Sequence, residues 1–188
     1  MRGIALVLVV AAFVVAQSTD SYRITHTYTL GGDGGWDYVV PDPPHHRVFI
    51  ARQNRVMVVD EDNGTLLGEV TGIQGAHGTA VAEGTGHGFA TSGNDQSVLM
   101  FDLKTFKVLG RIPAAEDADA IVYDSASNRV FTLNGDAHSS TVIDAREGRA
   151  AFLECDAPCL SDDALRRRLG PLDPIALRAQ LRERAILA

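Results

Sequence analysis

The sequence predicts an all-β fold assembled from repeated units of four short strands, and three observations carry that prediction. Three β-rich runs end in an aspartate, Val58-Val59-Asp60, Met100-Phe101-Asp102 and Val142-Ile143-Asp144, with the aspartates 42 residues apart both times. Each is preceded by an aromatic expected to open an earlier strand, in Arg47-Val48-Phe49, His87-Gly88-Phe89 and Arg129-Val130-Phe131. Between the runs lie turn-forming stretches rather than helical periodicity. Four short strands in about 42 residues describe a blade of a β-propeller, not a helical solenoid.

Composition agrees with a strand-rich globular protein: 45% hydrophobic, 22% charged and 18 glycines in 188 residues. The formal net charge of −7, with Lys104 and Lys107 the only lysines, argues against nucleic acid as a partner. Binding phosphates requires clustered cations on one face.

Taken in order along the chain, residues 1–16 read as a signal peptide: Arg2 gives a positive start, Ile4 to Val15 is apolar, and Val14-Val15-Ala16 has the small-residue form of a cleavage site. About a dozen apolar residues fall short of the ~20 that span a bilayer. The expected destination is therefore the periplasm or the exterior, with no membrane attachment after cleavage. Residues 17–35 contain a segment, Tyr22 to Leu30, that alternates polar and apolar side chains as a half-buried strand does, followed by the glycine cluster Gly31-Gly32-Asp33-Gly34-Gly35. The first part is expected to be an N-terminal closing strand and the second a flexible entry, since no Gly-Lys-Ser/Thr follows to make a phosphate loop.

Three blades are expected at about 36–76, 77–118 and 119–149. Their opening strands are Tyr38-Val39-Val40, Ala80-Val81-Ala82 and Ile121-Val122-Tyr123. After the repeat aspartate come a turn and a fourth strand, with Gly68 and Gly110 eight residues past it; the corresponding residue in the third unit is Phe152. The repeat is therefore expected to stop at Arg149, leaving 150–188 as an Arg-rich helical tail with Arg166, Arg167, Arg168, Arg178, Arg182 and Arg184 balanced by as many acids. Two readings of this tail compete: the product of a frameshift or truncation, or an assembly element through which three-blade chains share a ring. Cys155 and Cys159 can oxidise to each other or to a partner in an exported protein, and supply only two of the four ligands of a structural zinc.

The units resemble the YVTN-type repeats of YncE-like exported β-propellers. The resemblance is carried by Gly35-Trp36-Asp37-Tyr38, Val56-Met57-Val58-Val59-Asp60, Gly75-Ala76-His77-Gly78, Phe101-Asp102-Leu103-Lys104-Thr105, Asp119-Ala120-Ile121 and Asn128-Arg129-Val130-Phe131, and covers roughly residues 18–149. It implies a ring of about seven blades, of which three are present here.

For function, the aligned starts of the inner strands hold Asp37, His77 and Asp119, with Trp36 and Gly78 beside them. In a propeller these starts surround one mouth of the central channel, where polar groups can converge on a ligand. The competing reading is that Asp and His bond local turn amides. Asp60, Asp102 and Asp144 are read as structural turn residues, and His45, His46, His87 and His138 as solvated loop histidines. No nucleophile elbow or zincin helix is present, and no catalytic residue, metal ligand set or cofactor is assigned. The leading expectation is a non-enzymatic exported binding or scaffold module taking a small ligand or a protein at the mouth or rim. The alternatives are a lactonase-like or metal-dependent propeller hydrolase using the same mouth, and a truncated remnant without function. An open blade edge is also expected to favour self-association.

Overall fold

The computed structural model describes residues 22–154. Twelve strands form three antiparallel four-stranded sheets, each made from consecutive strands. Blade 1 comprises β1 (Val39–Asp42), β2 (Arg47–Arg52), β3 (Arg55–Asp60) and β4 (Leu66–Thr71). Blade 2 comprises β5 (Thr79–Ala82), β6 (His87–Ser92), β7 (Ser97–Asp102) and β8 (Val108–Pro113). Blade 3 comprises β9 (Ala118–Asp124), β10 (Arg129–Asn134), β11 (Ser139–Asp144) and β12 (Ala150–Glu154). The fold is the all-β, blade-by-blade architecture expected from the repeat.

The repeat aspartates fix the turn into the outer strand. Asp60 Oδ1 accepts from the amides of Asp62 and Asn63 at 3.0 Å each, and Asp144 Oδ1 from those of Arg146 and Glu147 at 2.9 Å each. Asp102 Oδ1 takes the Lys104 amide at 3.0 Å and the Thr105 amide and hydroxyl at 2.7 and 2.9 Å. Four residues past each aspartate the chain needs positive φ, met by Gly64 (75°) and Gly148 (64°), while Phe106 adopts it at 59°. A phenylalanine tolerates that left-handed backbone here because its ring is held against the Phe49 ring, 6.5 Å between centroids.

The core lies between blades. One layer joins Phe49, Val56 and Val58 of blade 1 to Ala90, Leu99 and Phe101 of blade 2. A second joins Phe89 and Val98 of blade 2 to Val130 and Ile143 of blade 3. Blade 2 is thus covered on both faces, which explains the unbroken apolar run Val98 to Phe101 in a strand. Polar bonds repeat in step with the apolar layers. Arg47, at the start of β2 and buried, bonds Asp42 at 2.7 Å and reaches the Leu103 carbonyl of blade 2 at 2.7 Å. His87, in the same place of blade 2, lies 3.0 Å from the Ala145 carbonyl of blade 3 through Nδ1. His87 is therefore a strand residue tying two blades, not the solvated loop histidine the sequence suggested.

Two boundaries differ from expectation. Blade 3 does not end at Arg149: β12 pairs with β11 from Ser139↔Glu154 to Ile143↔Ala150. The Asp144 turn closes like the others, with the Asp144 amide on the Arg149 carbonyl at 2.9 Å, so the backbone ladder continues without the glycine that marks β4 and β8. In the other direction, Tyr22–Leu30 forms no strand. Each described blade already contains four strands of its own, so none of them needs this segment to complete it. The glycine cluster after it is held rather than loose, because Arg52 donates to the carbonyls of Gly31, Gly32, Asp33 and Gly34 at 2.9 to 3.3 Å. The signal peptide and the Arg-rich tail beyond Glu154, with Cys155 and Cys159, lie outside the described residues. Among those described, no helix is long and apolar enough to cross a membrane.

Phe49→Ala is expected to destabilise the fold by about 3–5 kcal/mol in urea unfolding, because its fully buried side chain leaves a void between two blades. The Asp102 carboxyl is held below its ordinary 3.8, chiefly by the Thr105 amide and then by the Thr105 hydroxyl. A depressed folded pKa stabilises the fold above the unfolded value and loses that contribution as pH falls through the folded value. The stability advantage of the native protein over Asp102→Asn is therefore expected to be full at pH 5 and to shrink below about pH 4, read from paired denaturation curves.

Candidate functional site

Asp37 and His77 each lie two residues before the inner strand of their blade, and Asp119 is the second residue of β9. Backbone bonds set these positions. The Asp37 amide donates to the Ala51 carbonyl at 3.0 Å, and the Tyr38 amide crosses to the His77 carbonyl at 3.2 Å, so the start of blade 1 is stitched to the start of blade 2. On the far side of His77, the Gly78 amide donates to Thr91 Oγ1 at 2.8 Å, and the Thr91 amide to the Gly78 carbonyl at 3.0 Å.

These constraints bring the three side chains together. His77 Nδ1 lies 2.9 Å from Asp37 Oδ2 and 3.7 Å from Asp119 Oδ1. One imidazole therefore sits between two carboxylates, and each of the three comes from a different blade. The side chains are partly open, with relative exposures of 29% for His77, 43% for Asp37 and 46% for Asp119. Trp36 precedes Asp37 in the chain, and 76% of its surface is exposed. Among the described residues the three side chains contact one another across blades. Gly78 contributes through its backbone and its lack of a side chain: a Cβ there would lie 2.9 Å from Ile121 Cγ2 of blade 3.

One supporting residue escaped the sequence reading. Gly93, in the turn after β6, makes room for the His77 ring, since a Cβ at that position would lie 3.0 Å from Nε2. The signal was its place in the turn Ser92-Gly93-Asn94-Asp95, adjacent in the fold but not in the chain. A second cluster was also not singled out. At the other end of β1, His46 Nδ1 lies 3.0 Å from Asp62 Oδ2 and 3.7 Å from Glu61 Oε1. His45 is drawn to Asp42 at 3.1 Å.

Chemically, the Asp37–His77–Asp119 group offers two anionic acceptors and a ring nitrogen within 4.8 Å of one another. Such a set recognises a positively charged or hydrogen-donating ligand, and its mixed nitrogen and carboxylate donors also suit a divalent transition metal.

No family model matches the chain, and no curated protein does. Among solved structures, the chain resembles the Kuenenia stuttgartiensis hydrazine synthase structure with a TM-score of 0.60 and 17% identity, over 70% of this chain and 38% of that one. It also resembles the WD40 β-propeller domain of Doa1, with a TM-score of 0.55 and 13% identity, over 68% of this chain and 43% of that one. The chain spans less than half the length of either structure. Fold and neighbours together define the class: this is a β-propeller module, represented by three blades.

Because the three site side chains are partly exposed, their ion pairs are worth little to folding. His77→Gln is expected to change unfolding stability by less than about 1 kcal/mol, checked by urea denaturation against the native protein. A loss of several kcal/mol would make the cluster a structural clamp instead.

Proposed function

We propose that this chain is an exported, non-enzymatic binding module of the YVTN-repeat, YncE-like kind, whose recognition site is the channel mouth lined by Trp36, Asp37, His77 and Asp119. The observation that carries this reading is the meeting of one side chain from each blade at His77 Nδ1. A purely structural strand start has no need to place two carboxylates and an imidazole together at a partly open position. The acidic character selects a small ligand or protein segment presenting an ammonium, guanidinium or other donor group, and the exposed indole of Trp36 adds a face on which a cation can rest. Export follows from the apolar segment Ile4 to Val15 behind Arg2 and the Val14-Val15-Ala16 site.

A second reading, a metal-dependent propeller hydrolase, draws on the same donor set, whose ligand atoms lie within 4.8 Å of one another. The two readings separate on metal content. Stoichiometric divalent metal in purified protein that disappears in His77→Ala favours the hydrolase, and metal-free protein favours the module.

Trp36 is the single tryptophan of the chain, so its emission reports on the mouth without interference. Titration with amine- and guanidinium-bearing metabolites is expected to shift Trp36 fluorescence saturably in the native protein. The double variant Asp37→Asn/Asp119→Asn is expected to lose at least tenfold in affinity. Binding that survives the loss of both carboxylates would place recognition elsewhere.

A further inference from the structure

Among the described residues, nothing covers the face of blade 3 that blades 1 and 2 bury against their successors. Phe49 and Phe89 are fully buried between blades, and Phe131 holds the same repeat position on the outward face of blade 3. Beside it, Val122 and Leu133 are each 58% exposed, although they align with the buried Ala80 and Thr91 of blade 2. Blade 1 has the converse opening. Ile50 and Val39 occupy the places of Ala90 and Thr79, which are 0% and 4% exposed in blade 2, yet Val39 is 51% exposed and Ile50 half-buried. Each open face is one half of the interface that already joins blade 1 to blade 2 and blade 2 to blade 3.

The polar bond between blades repeats in the same way. The residue opening the second strand reaches the carbonyl just past the repeat aspartate of the next blade: Arg47 to Leu103, and His87 to Ala145. Arg129 is the third in this series, and among the described residues it makes no such bond to a following blade. The matching position on blade 1 is Glu61, whose amide is held by the His46 carbonyl at 3.0 Å as those of Leu103 and Ala145 are held by Gly86 and Asn128. Glu61 and Asp62 bring negative charge to the place where Arg129 would arrive.

We propose that a second copy of this chain docks on these faces, blade 3 of each packing head to tail against blade 1 of the other, to close a two-fold ring of six blades. Six lies within the range of about four to eight blades in which propellers close, and closure removes both open faces at once. Arg129 of one copy then bonds the Glu61 carbonyl and pairs with the acidic turn of the other.

Light scattering and sedimentation of the chain lacking residues 1–16 test this. The expected result is a dimer at micromolar concentration, converted to monomer with unchanged circular dichroism by Leu133→Asp, a substitution at an exposed site. Arg129→Glu is expected to weaken the dimer at least tenfold, and Arg129→Glu combined with Glu61→Arg to restore it. A monomeric native chain, a dimer indifferent to Leu133→Asp, or failure of the charge exchange to restore association would each overturn the proposal. The dimer does not depend on ligand, so Trp36 titration of the Leu133→Asp variant tests the mouth separately.

Discussion

Everything in this structure depends on the apolar contact between neighbouring blades. A four-stranded sheet of this size has two faces and no core of its own; it becomes stable when each face is covered by another layer. Phe49 against Phe101, with ring centroids 6.0 Å apart, and Phe89 among Val98, Val130 and Ile143 supply that cover. The turns, the outer strands and the Asp37–His77–Asp119 cluster are all placed by how these faces stack. The repeat aspartates serve this end indirectly, since they fix the turn that returns the fourth strand at a constant offset and keep successive blades in the same register.

That stacking is also what builds the site. Asp37, His77 and Asp119 are about 40 residues apart in the chain, and nothing local brings them together. The pitch between blades sets the inner strand starts side by side, the Tyr38 amide to the His77 carbonyl locks the first pair, and the fit of Ile121 against Gly78 locks the second. Small residues at Gly78 and Gly93 are the price of that closeness. Polar side chains at a repeated position therefore meet around one imidazole.

Much of this was legible in the sequence because a repeat converts a folding problem into an alignment. The 42-residue spacing of Asp60, Asp102 and Asp144 marked the blade, its strands and the aligned positions Asp37, His77 and Asp119 that meet in the fold. What was not legible were features that the alignment does not encode. β12 was missed because the reading relied on the glycine found at Gly68 and Gly110, whereas the ladder needs only backbone groups and the Asp144 turn. The Tyr22–Leu30 segment has the alternation of a strand, but alternation describes a face and cannot supply a partner to pair with. His87 looked like a loop residue because glycines flank it, and only the approach of Ala145 from the next blade shows its use. Gly93 was silent for the same reason: its neighbour His77 is distant in the chain.

The central claim is that three blades converge on the His77 ring, and the imidazole itself reports on this. Nitrogen-15 NMR of the His77 side chain, compared between the native protein, Asp37→Asn and Asp119→Asn, tests it most directly. The account predicts that each substitution shifts the Nδ1 resonance, with the larger change for Asp37→Asn at the shorter contact. A resonance that responds to Asp37→Asn but ignores Asp119→Asn would show that blade 3 does not share the site, and would contradict the account.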